Sequence, residues 1–258
     1  MTDYEEKIKH ELHLWQKKMQ KDPSALDRVS KSVQDKINNI IPDKIHEIVT
    51  STIKQMTRAV LYGAKYATPQ SVSDDSLELI EQSVKSRIAF YKKAGAAEGG
   101  ITGAGGFVLA MAEFPILIGI KMKLLFDIAA LFGRNVEDYR ERLFILYIFQ
   151  LAFSSQKNRQ KIYSQMVNWS SKNKELPDDI HQFDWKSFQQ EYRDYIDLAK
   201  FAQLIPGIGA AVGIIVNYRL LNQLGKTAIN AYRMRWIEEK YMLEGSSEIS
   251  PLLLNTAQ

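Results

Sequence analysis

Apolar residues recur at helical spacing along most of the chain. In the first 20 residues the apolar positions fall on one helix face, with lysines and glutamates on the remaining faces. This first stripe consists of Ile8, Leu12, Trp15 and Met19. The same spacing predicts three further amphipathic helices, with stripes over 26–40, 45–60 and 77–91. Strand-like alternation does not stand out anywhere, so the pattern predicts an all-α protein.

The stretch 95–131 departs from this pattern. Gly95, Gly99 and Gly103 recur at every fourth position, with a second row of small residues at Ala96, Gly100 and Ala104. On a helix, such rows allow another helix to approach closely. Each glycine costs a helix about 1 kcal/mol relative to alanine, so a loop leading into a helix near Phe107 or at Pro115 is the alternative. Strongly apolar sequence follows, which indicates the packed or membrane-facing centre of the protein.

Glycines and caps predict the later boundaries. Gly133 is expected to end a helix and Asn135 to cap the next one. That next helix, over 136–153, is apolar on all sides after Arg142, which predicts burial. A weaker stripe of Ile162, Met166 and Trp169 then runs toward the break at 177–179.

The last third of the chain contains a second segment that is rich in apolar and small residues. A helix is predicted over 185–204 behind the cap Asp184, followed by the apolar run 205–216. A final helix is expected from Lys226 to about Leu243. We therefore predict one domain of eight to ten helices over 1–244, with a possible joint near 157–184. Two apolar Gly/Pro-rich hairpins lie at its centre, and 245–258 forms a flexible tail.

Two segments contain the same sequence features in the same order, which is typical of an internal duplication. Each has a proline, an apolar helix and a glycine, and then a Tyr-Arg-x-Arg sequence. The first copy runs from Pro115 to Arg142 and the second from Pro206 to Arg235. Coincidence explains two copies equally well, so both interpretations stay open.

Composition narrows the class of partner. The chain is 45% hydrophobic and 25% charged, as in ordinary soluble proteins. A net charge of +4 and a pI near 9.0 favour an anionic partner such as a membrane surface. The positive charge is too dispersed for a nucleic-acid binder. Without cysteine there is no disulfide or thiolate site. The polar N-terminus has no signal peptide, which favours the cytoplasm.

Motifs for known chemistry are weak. The glycines of 207–213 loosely resemble a dinucleotide-binding loop, but helix precedes them and no acid follows before Glu238. The cluster 99–106 lacks the Gly-Lys-Ser/Thr ending of a phosphate-binding loop. The four histidines form no metal-binding motif. We therefore predict no catalytic residue, no metal and no cofactor.

A few polar residues stand out because their surroundings are apolar. Ionisable groups are costly there unless they are paired or face water. The candidate ligand-binding or functional cluster is Glu98, Glu113, Asp127 and Asn217. The structural alternative is a helical pair between Lys123 and Asp127. The candidate contacts with an anionic surface are Lys121, Lys123, Arg140, Arg142, Arg233 and Arg235.

The apolar runs are poor membrane spans. The run 101–120 has the length of a span, but Pro115 interrupts it and glycines dilute it. The run 201–216 is uncharged and short. A shallow or re-entrant hairpin fits better than a full span, and burial inside a soluble bundle fits better still.

Several segments together resemble the EcsC protein family of bacilli. They are the opening helix around Trp15, the glycine-rich stretch 94–107, the helix from Pro115 to Gly133, and 205–217 followed by Ala231-Tyr232-Arg233. The resemblance implies a gene neighbour of a two-component ABC exporter, and no agreed activity comes with it.

From this resemblance we expect a non-enzymatic cytoplasmic accessory protein, peripherally bound to the membrane, with the exporter subunits and anionic lipid as partners. The alternative is a soluble helical carrier that holds a lipid or other apolar small molecule between the hairpins. An enzyme that uses Glu98, Glu113 or Asp127 is a third class.

Overall fold

A computed structural model describes residues 2–21, 43–62, 76–102, 106–154, 156–182 and 210–243. These residues are mostly helical, and no β-strand occurs among them, which confirms the all-α class. The helices are α1 (Asp3–Gln20), α2 (Asp43–Tyr62), α3 (Leu77–Thr102), α4 (Gly106–Leu131), α5 (Tyr139–Phe153), α6 (Gln156–Met166), α7 (Trp169–Lys172) and α8 (Ala210–Leu243). Two 3₁₀ turns, Asn173–Glu175 and Ile180–Gln182, follow α7. The helices predicted over 26–40 and 185–204, and the tail 245–258, lie outside the described residues.

Helices α3, α4 and α8 form the centre of the bundle. α8 runs antiparallel to α3, since Arg233 contacts Glu81 while Asn222 contacts Lys92. Between α3 and α4, the Tyr91 hydroxyl lies 2.9 Å from a carboxylate oxygen of Asp127. α5 packs against α8 and α4, α2 covers α4 and α5, and α1 packs on α6 and α8.

The aromatic part of the core lies where α5 meets α8. From Leu143 to Phe153 nearly every α5 residue is buried, as the apolar pattern predicted. The ring of Tyr232 on α8 is 0% exposed, stacked on Phe132 at 5.1 Å and meeting Phe144 at 5.6 Å. Burying aromatic surface of this size is the main source of stability in such a bundle.

The turn between α4 and α5 is partly as predicted. Gly133 has a φ of 72°, and its amide donates to the Ala130 carbonyl at 2.9 Å, which is the expected glycine end of a helix. The prediction that Asn135 caps α5 is wrong. Asp138 is the cap, since its carboxylate accepts from the Arg140 amide at 2.9 Å. Asn135 instead accepts from the Glu137 amide in the preceding turn.

The glycine-rich stretch is helical on both sides of its centre. α3 continues through Gly95, Gly99 and Gly100 to Thr102, which confirms the helical interpretation there. α4 then begins at Gly106 and passes through Pro115. Residues 103–105 lie outside the described part of the chain.

Gly225 does not end a helix, contrary to the prediction of a new helix from Lys226. α8 is one continuous helix of 34 residues. A Cβ at Gly225 would lie 2.6 Å from Cδ1 and 2.8 Å from Cγ1 of Ile88. The glycine therefore marks a place where α3 and α8 approach closely, and that packing offsets its cost to the helix.

Gly225→Ala should destabilise the protein by about 1–2 kcal/mol, because overpacking against Ile88 outweighs the gain in helix propensity. Gly119→Ala is the matched control, since nothing lies within 4 Å of its added Cβ. It should stabilise the protein by about 0.5–1 kcal/mol. Urea unfolding of both variants measures the difference. Equal stabilisation by both would contradict the close approach of α3 and α8.

Candidate functional site

Asp127 is the predicted candidate whose side chain the structure describes best. It is 1% exposed and accepts hydrogen bonds from the Tyr91 hydroxyl at 2.9 Å and from Lys123. Nε of Arg87 lies 3.7 Å away. The Lys123–Asp127 pair is the one that helical spacing predicts. Burial, and then the neighbouring carboxylate, raises the pKa of Tyr91 well above its usual range, so this hydroxyl stays protonated and donates. The cluster ties α3 to α4.

The other members of the candidate cluster lie farther along the bundle. The side chains of Glu98, Glu113 and Asn217 are outside the described part, but their backbones are helical. Glu113 and Asp127 are 14 residues apart on α4, about 21 Å along the helix axis, so these two residues do not share a site. The antiparallel register of α3 and α8 places Glu98 and Asn217 at the same level of the bundle.

A second buried charge cluster joins three helices. Nε and Nη2 of Arg233 each lie 2.6 Å from a carboxylate oxygen of Glu81, which is 0% exposed. Nη1 of Arg233 lies 2.9 Å from Glu11, and the Tyr4 hydroxyl donates to Glu81 at 2.9 Å. The cluster therefore fixes α1 and α3 against α8. Sequence analysis missed Glu81, although its position within the apolar stripe of α3 was the available signal.

A third cluster brings the two Tyr-Arg-x-Arg segments together. Glu141 accepts from the Tyr232 hydroxyl at 2.8 Å and from Arg235 at 2.6 Å. The Arg235 guanidinium lies 4.7 Å from the centre of the Phe144 ring. The segments are not in equivalent surroundings, because Tyr139 opens α5 and donates to the Pro177 carbonyl, whereas Tyr232 lies inside α8.

Of the six cations expected to face an anionic surface, Lys123, Arg233 and Arg235 belong to these clusters. Lys121 is 1% exposed, and its ammonium lies 3.4 Å from the Leu117 carbonyl. Arg140 pairs with Asp178 at 2.7 Å, and Arg142 donates to the Val136 carbonyl at 2.8 Å. All six side chains thus contact other groups of the protein.

Glu238 is a buried carboxylate that, unlike the acids of the three clusters, accepts no hydrogen bond from the described residues. It is 4% exposed, and among the described residues neither of its oxygens has a hydrogen-bond partner. Burial raises its pKa to about 7. The positive charges of Arg235 and Lys172 act to lower this pKa, and the negative charge of Glu239 acts to raise it. The carboxylate therefore titrates near neutral pH where α8 meets α7.

One end of the bundle is apolar. The antiparallel packing brings together 94–102 of α3, 106–120 of α4 and 210–217 of α8, which we call the apolar end. Glu98 and Glu113 are the two ionisable residues in these stretches. Ile116 is 60% exposed there, beside the exposed Pro115.

Basic and aromatic residues border the apolar end, and we call Lys92, Lys93, Tyr218 and Arg219 the basic belt. The Lys92 ammonium lies 4.3 Å from the centre of the Tyr218 ring and 3.3 Å from Oδ1 of Asn222. Lys93 and Arg219 are exposed, and Tyr218 is 46% exposed. Cations that face solvent thus directly precede or follow the apolar stretches of α3 and α8.

The described helices do not provide a membrane span, since none of them combines sufficient length with sufficient apolar character. Within the same residues, no group of three or more acids or histidines is placed to hold a metal ion.

The fold and its charge clusters define an all-helical bundle protein, built around the α3–α4–α8 core. This chain belongs to the EcsC protein family, whose family model matches residues 6–237. It is 44% identical over 240 residues to Protein EcsC of Bacillus subtilis (strain 168), covering 93% of this chain and 98% of that protein.

A second relative from the same organism, Uncharacterized protein YdbA, is 28% identical over 149 residues. The match covers 57% of this chain and 54% of that protein. No solved structure matches the chain. The resemblance found in the sequence is confirmed at the level of the family.

Proposed function

We propose that this protein is a non-enzymatic accessory protein that works at the cytoplasmic face of the membrane beside an ABC exporter. The observation that carries the membrane role is the apolar end, with Ile116 60% exposed, next to the solvent-facing cations of the basic belt. The exporter as partner comes from the family resemblance.

Peripheral attachment suits these properties. Proteins that lie on a membrane combine exposed apolar surface with cations that are attracted to anionic lipid. The net charge of +4 also favours attraction to anionic lipid.

The buried acids support a structural role over a catalytic one. Glu81, Asp127 and Glu141 each contact an arginine or a lysine within 3 Å. A carboxylate held in this way is neutralised and hydrogen-bonded, and removing it leaves a buried cation unpaired. Such acids stabilise the contacts between helices.

Cell fractionation and vesicle sedimentation test the proposal. We expect the protein in the membrane fraction at low salt and its release at high salt, because the attraction to anionic lipid is screened. Purified protein should sediment with vesicles that contain phosphatidylglycerol and much less with pure phosphatidylcholine. A protein that stays in the supernatant under all these conditions would rule out the membrane role.

The exporter and the carrier alternative each have a separate readout. A tagged chain should co-purify the exporter's membrane subunit from mildly solubilised cells, with Ile116→Glu as the variant expected to lose it. Native mass spectrometry of the purified protein reports on the carrier alternative. A stoichiometric lipid bound to the protein, without vesicle binding, would favour a carrier over a surface accessory protein.

A further inference from the structure

We infer that two copies of this chain form an antiparallel dimer through the outer face of α3. This face carries four residues that we call the α3 stripe: Leu79, Ser83, Ser86 and Phe90. The inference does not depend on the membrane role proposed above. It rests on the exposure of the α3 stripe, on the spacing of its members, and on the way in which the stripe complements a second copy of itself.

The α3 stripe lies on the side of α3 that points away from the core. Leu79 is 49% exposed and Phe90 is 58% exposed. Ser83 and Ser86, which lie between them, are exposed as well. The same helix buries its opposite face, which consists of Leu77, Glu81, Val84, Ile88 and Tyr91. Two large apolar side chains therefore face solvent on a helix that already has a complete buried face.

The members of the α3 stripe are separated by four, three and four residues, which is the spacing of the seam residues in a coiled coil. This spacing keeps side chains on one side of a helix over three turns. The stripe contains no charged residue. Lys85, near its midpoint in sequence, contacts Tyr4 and Glu81 instead. An exposed, uncharged seam of this kind is suited to packing against another helix.

The order of residues in the α3 stripe is the same in both directions, since a large apolar residue stands at each end and the two serines stand between them. When two such helices pack antiparallel, Leu79 of each copy lies opposite Phe90 of the other. The two serine positions then face each other at the centre, where their small side chains allow close approach. A twofold axis generates all these contacts at once, as in most homodimers. The occupant that the stripe fits is therefore a second copy of the chain.

Charges beside the α3 stripe favour the antiparallel orientation. Glu78 and Lys93 are both exposed and lie beyond opposite ends of the stripe. Antiparallel packing brings Glu78 of each copy within about 3 Å, along the helix axis, of the level of Lys93 of the other. Parallel packing would place like charges beside each other, which is unfavourable. The stripe is about 17 Å long, and such a short contact gives a small interface, so we expect a weak, reversible dimer.

Sedimentation velocity of the full chain over a range of concentrations measures the dimer. Phe90→Glu and Leu79→Lys should each raise the dissociation constant about tenfold or more, because symmetry removes two apolar contacts with one substitution. Leu14→Glu is the matched control, since Leu14 is 55% exposed and lies on α1. It should leave the dissociation constant unchanged. Circular dichroism verifies that each variant is folded.

The double variant Leu79→Lys/Phe90→Glu tests the orientation. In the antiparallel dimer each introduced lysine faces an introduced glutamate of the other copy, so the double variant should dimerise more tightly than either single variant. Salt should weaken this dimer by screening the new pairs. Because the chain has no cysteine, disulfide formation gives a second readout. Ser83→Cys mixed with Ser86→Cys should cross-link faster than either variant alone, since these positions lie opposite each other.

Three results would overturn the inference. A chain that stays monomeric at every concentration excludes the dimer, and poor labelling of Ser83→Cys by a thiol reagent would then show that another segment of the chain covers the stripe. Equal weakening of a dimer by Leu14→Glu and Phe90→Glu would contradict the assigned surface. A double variant that dimerises less tightly than both single variants would contradict the antiparallel orientation. Vesicle sedimentation tests the membrane role independently of all three.

Discussion

Arg233→Met is expected to lower the free energy of unfolding by about 3–5 kcal/mol, the usual cost of removing one partner of a buried ion pair. The substitution leaves the Glu81 carboxylate, which is 0% exposed, with Tyr4 and the partly exposed Lys85 as its partners. Methionine fills much of the same volume, so the loss comes from the unpaired charge. Urea unfolding of the two proteins at neutral pH measures the effect.

Two further variants test this explanation. The double variant Arg233→Met/Glu81→Leu should recover much of the loss, because no buried charge remains. Lys240→Met removes the more exposed ion pair with Glu5, at 2.8 Å, and should cost less than about 1 kcal/mol. Similar losses of unfolding free energy in Arg233→Met and Lys240→Met would contradict the larger contribution expected of the buried Arg233–Glu81 pair.

Stability is expected to fall as the pH rises through neutrality, because burial of Glu238 raises its pKa from 4.5 to about 7. Between these two values the folded state holds a proton that the unfolded state has released. The unfolded state thus binds fewer protons, and the free energy of unfolding decreases with pH across this window. The full effect is about 3 kcal/mol and is complete above the folded pKa.

Glu238→Gln isolates this contribution, since glutamine keeps the shape without the charge. We expect the variant to be more stable than the unmodified protein by about 2–3 kcal/mol at pH 8, and the difference to shrink toward pH 5. Glu47→Gln on α2 is the control for an exposed acid and should show no such trend. A constant difference between Glu238→Gln and the unmodified protein across the pH range would contradict titration of Glu238.

Periodicity predicted much of the fold, because burial of an apolar face is a local property of a helix. The stripe of α1 and the apolar run of α5 are buried where the pattern placed them. Gly225 was misread because its role depends on Ile88, which lies 137 positions earlier in the sequence. A glycine that ends a helix and a glycine that admits a neighbouring helix look the same in a single sequence.

The charge clusters could not be predicted from the sequence, because each of them joins residues that are far apart along the chain. Glu81 and Arg233 are 152 residues apart, and Glu141 and Arg235 are 94 apart. Arginine usually lies on the surface, so Arg233 and Arg235 were assigned to an anionic surface. The packing of α8 against α3 and α5 decides instead that these guanidiniums meet carboxylates inside the bundle.

The unbroken course of α8 connects the apolar end to the opposite end of the bundle, where Met242 is exposed. From Tyr218 to Leu243 the helix measures about 38 Å, and its interior is held by Arg233 and Arg235. Because the helix is continuous, exposed Met242 and exposed Tyr218 are held at a fixed separation on one element.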